Sequence, residues 1–343
     1  MTDKWIYWFE ELSKDAFELV GRKCANLGEM TRSGLPVPPG FALSVDAHRR
    51  FMQETGAAEQ IRAFVTTVPP RELARDERVS QQIRDIVESH EMPDDMKAEV
   101  SREYCTLCGL VGVPDLPVAV RSSGATSMPG AMESYLNVRG DAQLFRKIVE
   151  VWGSSYTFQA IAYRANNGLS VEDFPIGVAV MKVVNAKCSG VAMSVHPNTG
   201  DRNKMLIEAN WGLGEGVVGG SITPDHFVID KTTGEIHSTI STKLECVLPN
   251  GDGTSWQPVD VELQDCSCVT EPELRAIQEL ANRLEAEYGE PQDIEWVFDR
   301  DFELPESLRV VQTRTAKIAK GTDEKAQNEY LIDLLMSSIY HRK

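Results

Sequence analysis

Residues 292–299, QDIEWVFD, carry two carboxylates two positions apart, Asp293 and Glu295, among apolar neighbours. Side chains of a strand alternate faces, so Asp293 and Glu295 share one face while Ile294, Trp296 and Phe298 share the other. In LRVVQTRT, residues 308–315, the same parity puts Gln312 with Arg314. The link DRDFELPES is short enough for the two strands to pair as neighbours, so acids and an amide-arginine pair can line one surface. Two carboxylates with an amide oxygen suit Mg²⁺, a hard cation that takes oxygen ligands and keeps positions for waters and phosphates. Arg314 beside them suits the charge that develops on a transferring phosphoryl group. Taken alone, a solvated polar sheet face is the commoner use of such a hairpin, and the chemical reading needs other segments beside it.

A second candidate is RSSGATSMPGAMESYLNV, residues 121–138. An apolar strand ends in an arginine and two serines, and a loop of small residues follows around Met128-Pro129-Gly130. Such a loop has little to bury and is composed for close approach to something else. WGLGEGVVGG holds a formal GxGxxG at Gly214, Gly216 and Gly219. That motif needs a helix directly after it, and Gly220 and Pro224 interrupt one, which argues against a dinucleotide site. No GxxxxGK[ST] loop is present either, so a Walker A helix is not expected.

The elements that must position these residues belong to a chain of 343 residues, 42% apolar, with a formal net charge of -17. That size supports one large domain or two ordinary ones, and the charge argues against a nucleic-acid partner. No run of eighteen apolar residues appears, and the acidic N-terminal stretch is unlike a signal peptide, so no membrane partner is expected and the expected compartment is the cytoplasm. Seven cysteines fit reduced thiols better than a disulfide framework, and the spacings of CTLC and CSC make a poor zinc site.

GRKCANLGEMTRSG reads as a short helix with Leu27 and Met30 turned inward and Gly34 just past its end. A strand is expected from Phe41, charged helices over about 70–110 as an insertion with a solvated face, a strand at LPVAVRSS, another at Tyr135–Val138, and two helices over about 142–166. Four strands follow, IGVAVMKVV, SGVAMSV, KMLIEANW and DHFVID, then a helix from about Glu271 to Tyr288 and the two strands described first. The expected division is an N-terminal subdomain over 1–180, a second over 181–318, and a polar link with an amphipathic helix over 319–343.

GRKCANLGEMTRSGLPVPPGFALS, VAVRSSGATSMPGAMESYLNV, EANWGLGEGVVGGSITPDHFVID, QDIEWVFD and VVQTRT occur in the order seen in the nucleotide-binding part of phosphoenolpyruvate synthase, pyruvate phosphate dikinase and rifampin phosphotransferase. Over residues 21–316 the chain resembles that family. SMPGAMESYLNV is closer to the dikinase form, and VRSS and GLGEGVV to the synthase form. The resemblance implies an α+β, ATP-grasp-like fold of two subdomains with ATP bound between them. It implies that Lys23 and Arg121, with Ser122 beside it, contact ATP phosphates, which agrees with the use of cations on separate elements to clamp a polyphosphate. The loop would fold over the triphosphate, with the backbone N–H groups of Gly130 and Ala131 on its oxygens. Asp293, Glu295 and Gln312 match metal and phosphate-positioning residues, with Glu295 and Gln312 toward Mg²⁺. Arg314 matches the arginine at the transferring group, and Glu215 is carried over from the glycine-rich block.

Two departures stand out. Met181-Lys182 replaces the Gln-Lys that synthase-type relatives place near the adenine. The family's glycine-rich segment around a phosphorylated histidine has no counterpart at His48, His90, His196, His226, His237 or His341. The resemblance therefore implies an ATP half whose histidine and acceptor site come from a partner subunit, as in the smaller subunit of phenylphosphate synthase, where the small acceptor is phenol and the products include AMP and phosphate. The ATP half of a split phosphoenolpyruvate synthase or dikinase, and a regulatory subunit that senses ATP without chemistry, are the alternatives.

Overall fold

The computed structural model describes residues 4–69, 72, 75–126, 132–170 and 174–318. The expected phosphate loop with Gly130 and Ala131, and the expected C-terminal helix, lie outside the described residues. The chain divides into two compact units, one of residues 1–32 with 39–183 and one of residues 33–38 with 184–343.

The first unit contains β1 (Ile6–Trp8), α1 (Phe17–Arg32), β2 (Gly40–Leu43), α2 (Val45–Glu54), α3 (Ala57–Thr67), α4 (Glu77–Glu88), α5 (Asp94–Val111), β3 (Val118–Ser123), β4 (Ser134–Val138), α6 (Gly140–Gly153), α7 (Phe158–Asn166) and β5 (Gly177–Lys182). Its strands form one antiparallel sheet in the order β1-β2-β5-β3-β4. Within the charged stretch α4 and α5 are helical, and their apolar stripe is part of the core. Val79, Ile83 and Val87 on α4, and Met96, Val100, Tyr104 and Leu107 on α5, are buried with Trp152 and the sheet residues Val118 and Val120. Their spacing of three or four residues keeps them on one helix face. Asp76 starts α4 by accepting the N–H of Arg78, and Gly112 (φ 76°) closes α5 in the left-handed conformation that suits glycine.

The second unit contains β6 (Ala186–Met193), β7 (Lys204–Trp211), α8 (Glu215–Val218), β8 (Asp225–Asp230), β9 (Ile236–Thr239), β10 (Glu245–Asn250), β11 (Gly253–Pro258), α9 (Val261–Gln264), α10 (Glu271–Tyr288), β12 (Gln292–Asp299) and β13 (Leu308–Thr315). Six strands make an antiparallel sheet in the order β13-β12-β6-β7-β8-β9, and β10-β11 form a separate hairpin. α10 begins in a capping box between Thr270 and Glu273 and ends at Gly289 (φ 72°), which accounts for its extent. Residues 33–38 join this unit because the Val310 N–H donates to the Pro36 carbonyl and Ser33 Oγ to Glu287. Among the described residues no helix is long and apolar enough to cross a membrane.

Candidate functional site

In the first unit the residues of interest meet where α1 abuts β3. Helix α1 is interrupted at Gly21, whose φ of 78° and ψ of 164° are open only to glycine. A Cβ there would lie 2.0 Å from the carbonyl oxygen of Ser123. With no side chain in the way, the GRK segment is laced to the end of the strand. The Arg22 N–H donates to the Gly124 carbonyl at 3.0 Å, Arg22 Nε to the Ala125 carbonyl at 2.7 Å, and the Cys24 N–H to Ser123 Oγ at 3.0 Å.

This junction brings Lys23 and Arg121 to the same thiol. Burial pushes Cys24 up to about 12, while the hydroxyl of Ser123 and the charges of Lys23 and Arg121 pull it down. Both cations are half-buried, so the two charges that the sequence places 98 positions apart share one neighbourhood where α1 meets the end of β3. Ser122 lies on the other face of β3 from Arg121, is buried, and its hydroxyl has no hydrogen-bond partner among the described residues. The serine that meets α1 is Ser123, a position the sequence reading passed over. Met181 is buried within the sheet between Gly40 and Ala119, with Lys182 half-buried beyond it.

In the second unit β12 and β13 pair as the link length predicts. Asp293 lies opposite Arg314 and Glu295 opposite Gln312. Directly opposed residues of an antiparallel pair share a face, so all four project together. Arg314 Nε donates to Asp293 Oδ2 at 2.7 Å and Gln312 Nε2 to Glu295 Oε1 at 2.7 Å. A bulge follows Glu295, beyond which Trp296 faces Val310, and the apolar side is closed by Trp296 packed edge-on against Phe298 at 5.4 Å. The side chain of Asp293 is 9% exposed and that of Arg314 50%. Burial raises the Asp293 carboxyl above its ordinary value, Arg314 pulls it back, and Glu295 adds to the rise.

The row continues across the sheet. Glu295 is opposite Val191, Val191 opposite Glu208, and Glu208 opposite His226, whose Nδ1 is 3.6 Å from the Glu208 carboxylate. Glu208 was not singled out in the sequence, and His226 only as one of six histidines outside the family's glycine-rich segment; an alternating strand shows which residues share a face but not which strand lies beside it. Glu215 opens α8, a helix of four residues that ends in Gly219 and Gly220 (φ 61°), so the break expected from the glycines is present and no dinucleotide-type helix forms.

Among the described residues no group of three carboxylates, imidazoles or thiols could form an all-protein metal cage. With Asp293 ion-paired to Arg314, Glu295 and Gln312 are the remaining oxygen donors of the β12–β13 pair, a carboxylate and an amide of the hard kind that Mg²⁺ takes. The cysteines are free thiols. His48 is buried and stacked on Trp152 at 5.4 Å, accepts the Ile176 N–H on Nδ1, and is depressed to about 3 by burial and then by the nearby arginines, Arg164 and Arg49. His90 contacts Gln60, and His237 faces Glu235.

Residues 17–332 match the family described as Pyruvate phosphate dikinase, AMP/ATP-binding domain. The chain belongs to this family. Relatives include a probable phosphoenolpyruvate synthase of Staphylothermus marinus, 35% identical over 95% of this chain and 43% of its own length. A probable phosphoenolpyruvate synthase of Methanothermobacter thermautotrophicus is 35% identical over 94% of this chain and 48% of its length. The phosphoenolpyruvate synthase of Aeropyrum pernix is 33% identical over 95% and 44%. The chain thus spans under half the length of these curated relatives. Family membership makes it an AMP/ATP-binding domain of α+β, ATP-grasp-like architecture, as the ordered motifs led one to expect.

Proposed function

We propose that the chain is the ATP-using part of a dikinase-type phosphotransferase that passes the β-phosphoryl of ATP, as pyrophosphoryl, to a histidine on a partner polypeptide. The observation that carries this reading is the division of labour between two polar constellations of an AMP/ATP-binding domain. Lys23 and Arg121 converge at the α1–β3 junction, and Asp293, Glu295, Gln312 and Arg314 line one face of β12–β13. Lys23 and Arg121 hold phosphate oxygens, with Ser122 and the backbone of Gly130 and Ala131 as further phosphate contacts and Glu215 as a nucleotide contact. Arg314, held on Asp293, offsets the negative charge of the transferring group. Glu295 and Gln312 would hold Mg²⁺, which when bound would supply Lewis-acid stabilisation of the negative charge on the phosphates.

The partner's imidazole nitrogen forms a bond to the β-phosphorus as the bond from that phosphorus to the α–β bridging oxygen breaks, and AMP leaves. Water then releases the γ-phosphate, and the remaining phosphoryl moves to the acceptor. Support for an outside nucleophile comes from the sequence, since none of the chain's six histidines sits in the family's glycine-rich segment, and His48 is in addition buried and held neutral. The acceptor in this reading is a phenol, giving phenylphosphate with AMP and phosphate. The names of the relatives favour a second reading in which the product is phosphoenolpyruvate.

ATP labelled separately at the β and γ positions tests the scheme. The chain by itself should bind Mg-ATP and form no phosphorylated product. With the partner, acid-labile label from both positions should reach a partner histidine, and β-label alone should persist after phosphate release. Acid-stable label on this chain, or efficient turnover by it alone, would refute the scheme. Phenol and pyruvate as alternative acceptors then separate the two readings.

A further inference from the structure

We propose that the exposed apolar face formed by the β10–β11 hairpin and α9 docks the polypeptide that carries the phosphoryl-accepting histidine, through a partner surface with an apolar centre and a rim of lysine and arginine. The proposal rests on the functional reading above. Leu244 is 61% exposed, Val261 82%, Leu263 40% and Trp256 37%. Scattered apolar residues on a surface need no explanation. These four, however, sit in one stretch of 20 residues and are tied together. The Val259 N–H donates to the Leu244 carbonyl at 2.9 Å, and the Lys243 N–H to the Gln264 carbonyl at 2.9 Å. No residue of α9 is buried.

The charge along this stretch of the chain has one sign. From Leu244 to Asp265 the sequence contains Glu245, Asp252, Asp260, Glu262 and Asp265 and neither lysine nor arginine. An apolar centre with a charged rim is the anatomy of an interface, and a rim of one sign selects a partner of the opposite sign. A second copy of the chain, also at -17, would set acid against acid. Because the chain spans under half the length of its relatives, an enzyme of their kind assembled around it needs a face on which the rest of the protein can sit.

The face also touches the segment that holds Glu215. The Leu213 N–H donates to the Val247 carbonyl at 2.9 Å, and a Cβ on Gly216 would come within 3.0 Å of the Trp256 indole. The hairpin therefore rests on the glycine-rich turn, and a partner seated on it is within reach of the nucleotide machinery of this unit.

The test uses the full chain and the histidine-bearing polypeptide purified with it from its own cells. Val261→Glu and Leu244→Glu change exposed side chains outside the nucleotide machinery. Each should weaken the partner's Kd by about tenfold or more and leave Mg-ATP affinity of the isolated chain unchanged. Raising salt from roughly 50 to 500 mM should weaken the wild-type complex, since exposed charges are screened. Normal partner binding by both variants, salt-independent binding, or a photo-crosslinker at position 261 that reaches a second copy of the chain would overturn the proposal. If the partner docks through this face yet takes no label from ATP, the functional reading falls and the docking face stands; if it takes label while both variants bind it normally, only the docking face falls.

Discussion

Gly21→Ala should disable the first unit's half of the nucleotide machinery more severely than its small size suggests. The new Cβ would sit 2.0 Å from the Ser123 carbonyl oxygen, whereas real Cβ contacts essentially never fall below 3.0 Å, so α1 and β3 must separate by about 1 Å. The obstacle is backbone and cannot rotate away. That shift lengthens the Arg22–Gly124 and Cys24–Ser123 hydrogen bonds, both now 3.0 Å, beyond useful range. Losing two such bonds costs about 1 kcal/mol each, and the glycine-only backbone conformation adds roughly 1–3 kcal/mol, so the expected destabilisation is about 3–5 kcal/mol. Lys23 and Arg121 move apart by the same displacement, and a misplacement of this size costs on the order of a hundredfold in rate. Gly112→Ala is the control, because Gly112 has φ 76° but nothing within 4 Å of its Cβ position. It should cost only about 1 kcal/mol. Urea unfolding followed by tryptophan fluorescence and calorimetric titration with Mg-ATP measure both effects. Equal losses for the two variants would refute the close-approach explanation of the junction.

Arg314→Ala should keep most Mg-ATP affinity yet lower phosphotransfer by orders of magnitude, because its target is charge that appears in the transition state; near-normal turnover with the partner would remove Arg314 from that role. Lys23→Ala should weaken nucleotide binding itself, which equilibrium titration of the isolated chain will show. His48 makes a prediction about pH. Its folded value of about 3 lies below the ordinary 6.5, so the unfolded chain takes up a proton that the folded chain refuses. Stability from this group is present near neutrality and falls as pH drops from about 6.5 toward 3, by up to about 1.4 kcal/mol per pH unit. His48→Gln, which keeps an acceptor for the Ile176 N–H, should therefore gain relative to wild type as pH falls, and a wild-type–variant difference that stays constant between pH 7 and 4 would rule this out.

Local periodicity and turn chemistry were enough to read much of this protein from its residues. Strand alternation has a period of two and needs no partner to be read. It put Asp293 with Glu295 and Gln312 with Arg314 before any pairing was known, and the short link between the strands made them neighbours. The glycines after Glu215 likewise forbid a long helix wherever the segment lies. Five motifs in order carried the family, because the spacing of such segments survives as a pattern along the chain.

What the chain could not reveal by itself depends on which segments meet. Nothing near Gly21 in sequence announces the Ser123 carbonyl, which is its neighbour only because α1 abuts the end of β3. The choice between Ser122 and Ser123 required knowing which face of β3 looks toward that helix. Arg164, one charge among several on a helical stretch, is fully buried between the rings of Tyr156 and Phe174, at 5.4 and 4.7 Å. The acidic stretch with Leu244 and Val261 became a face only when the β10–β11 hairpin was seated on the glycine-rich turn. Side-chain parity and helix stops are decided by bonds to near neighbours in the chain. Convergence of charges and exposure of an apolar face are decided by contacts between residues far apart in it, and those exist only once the units have folded.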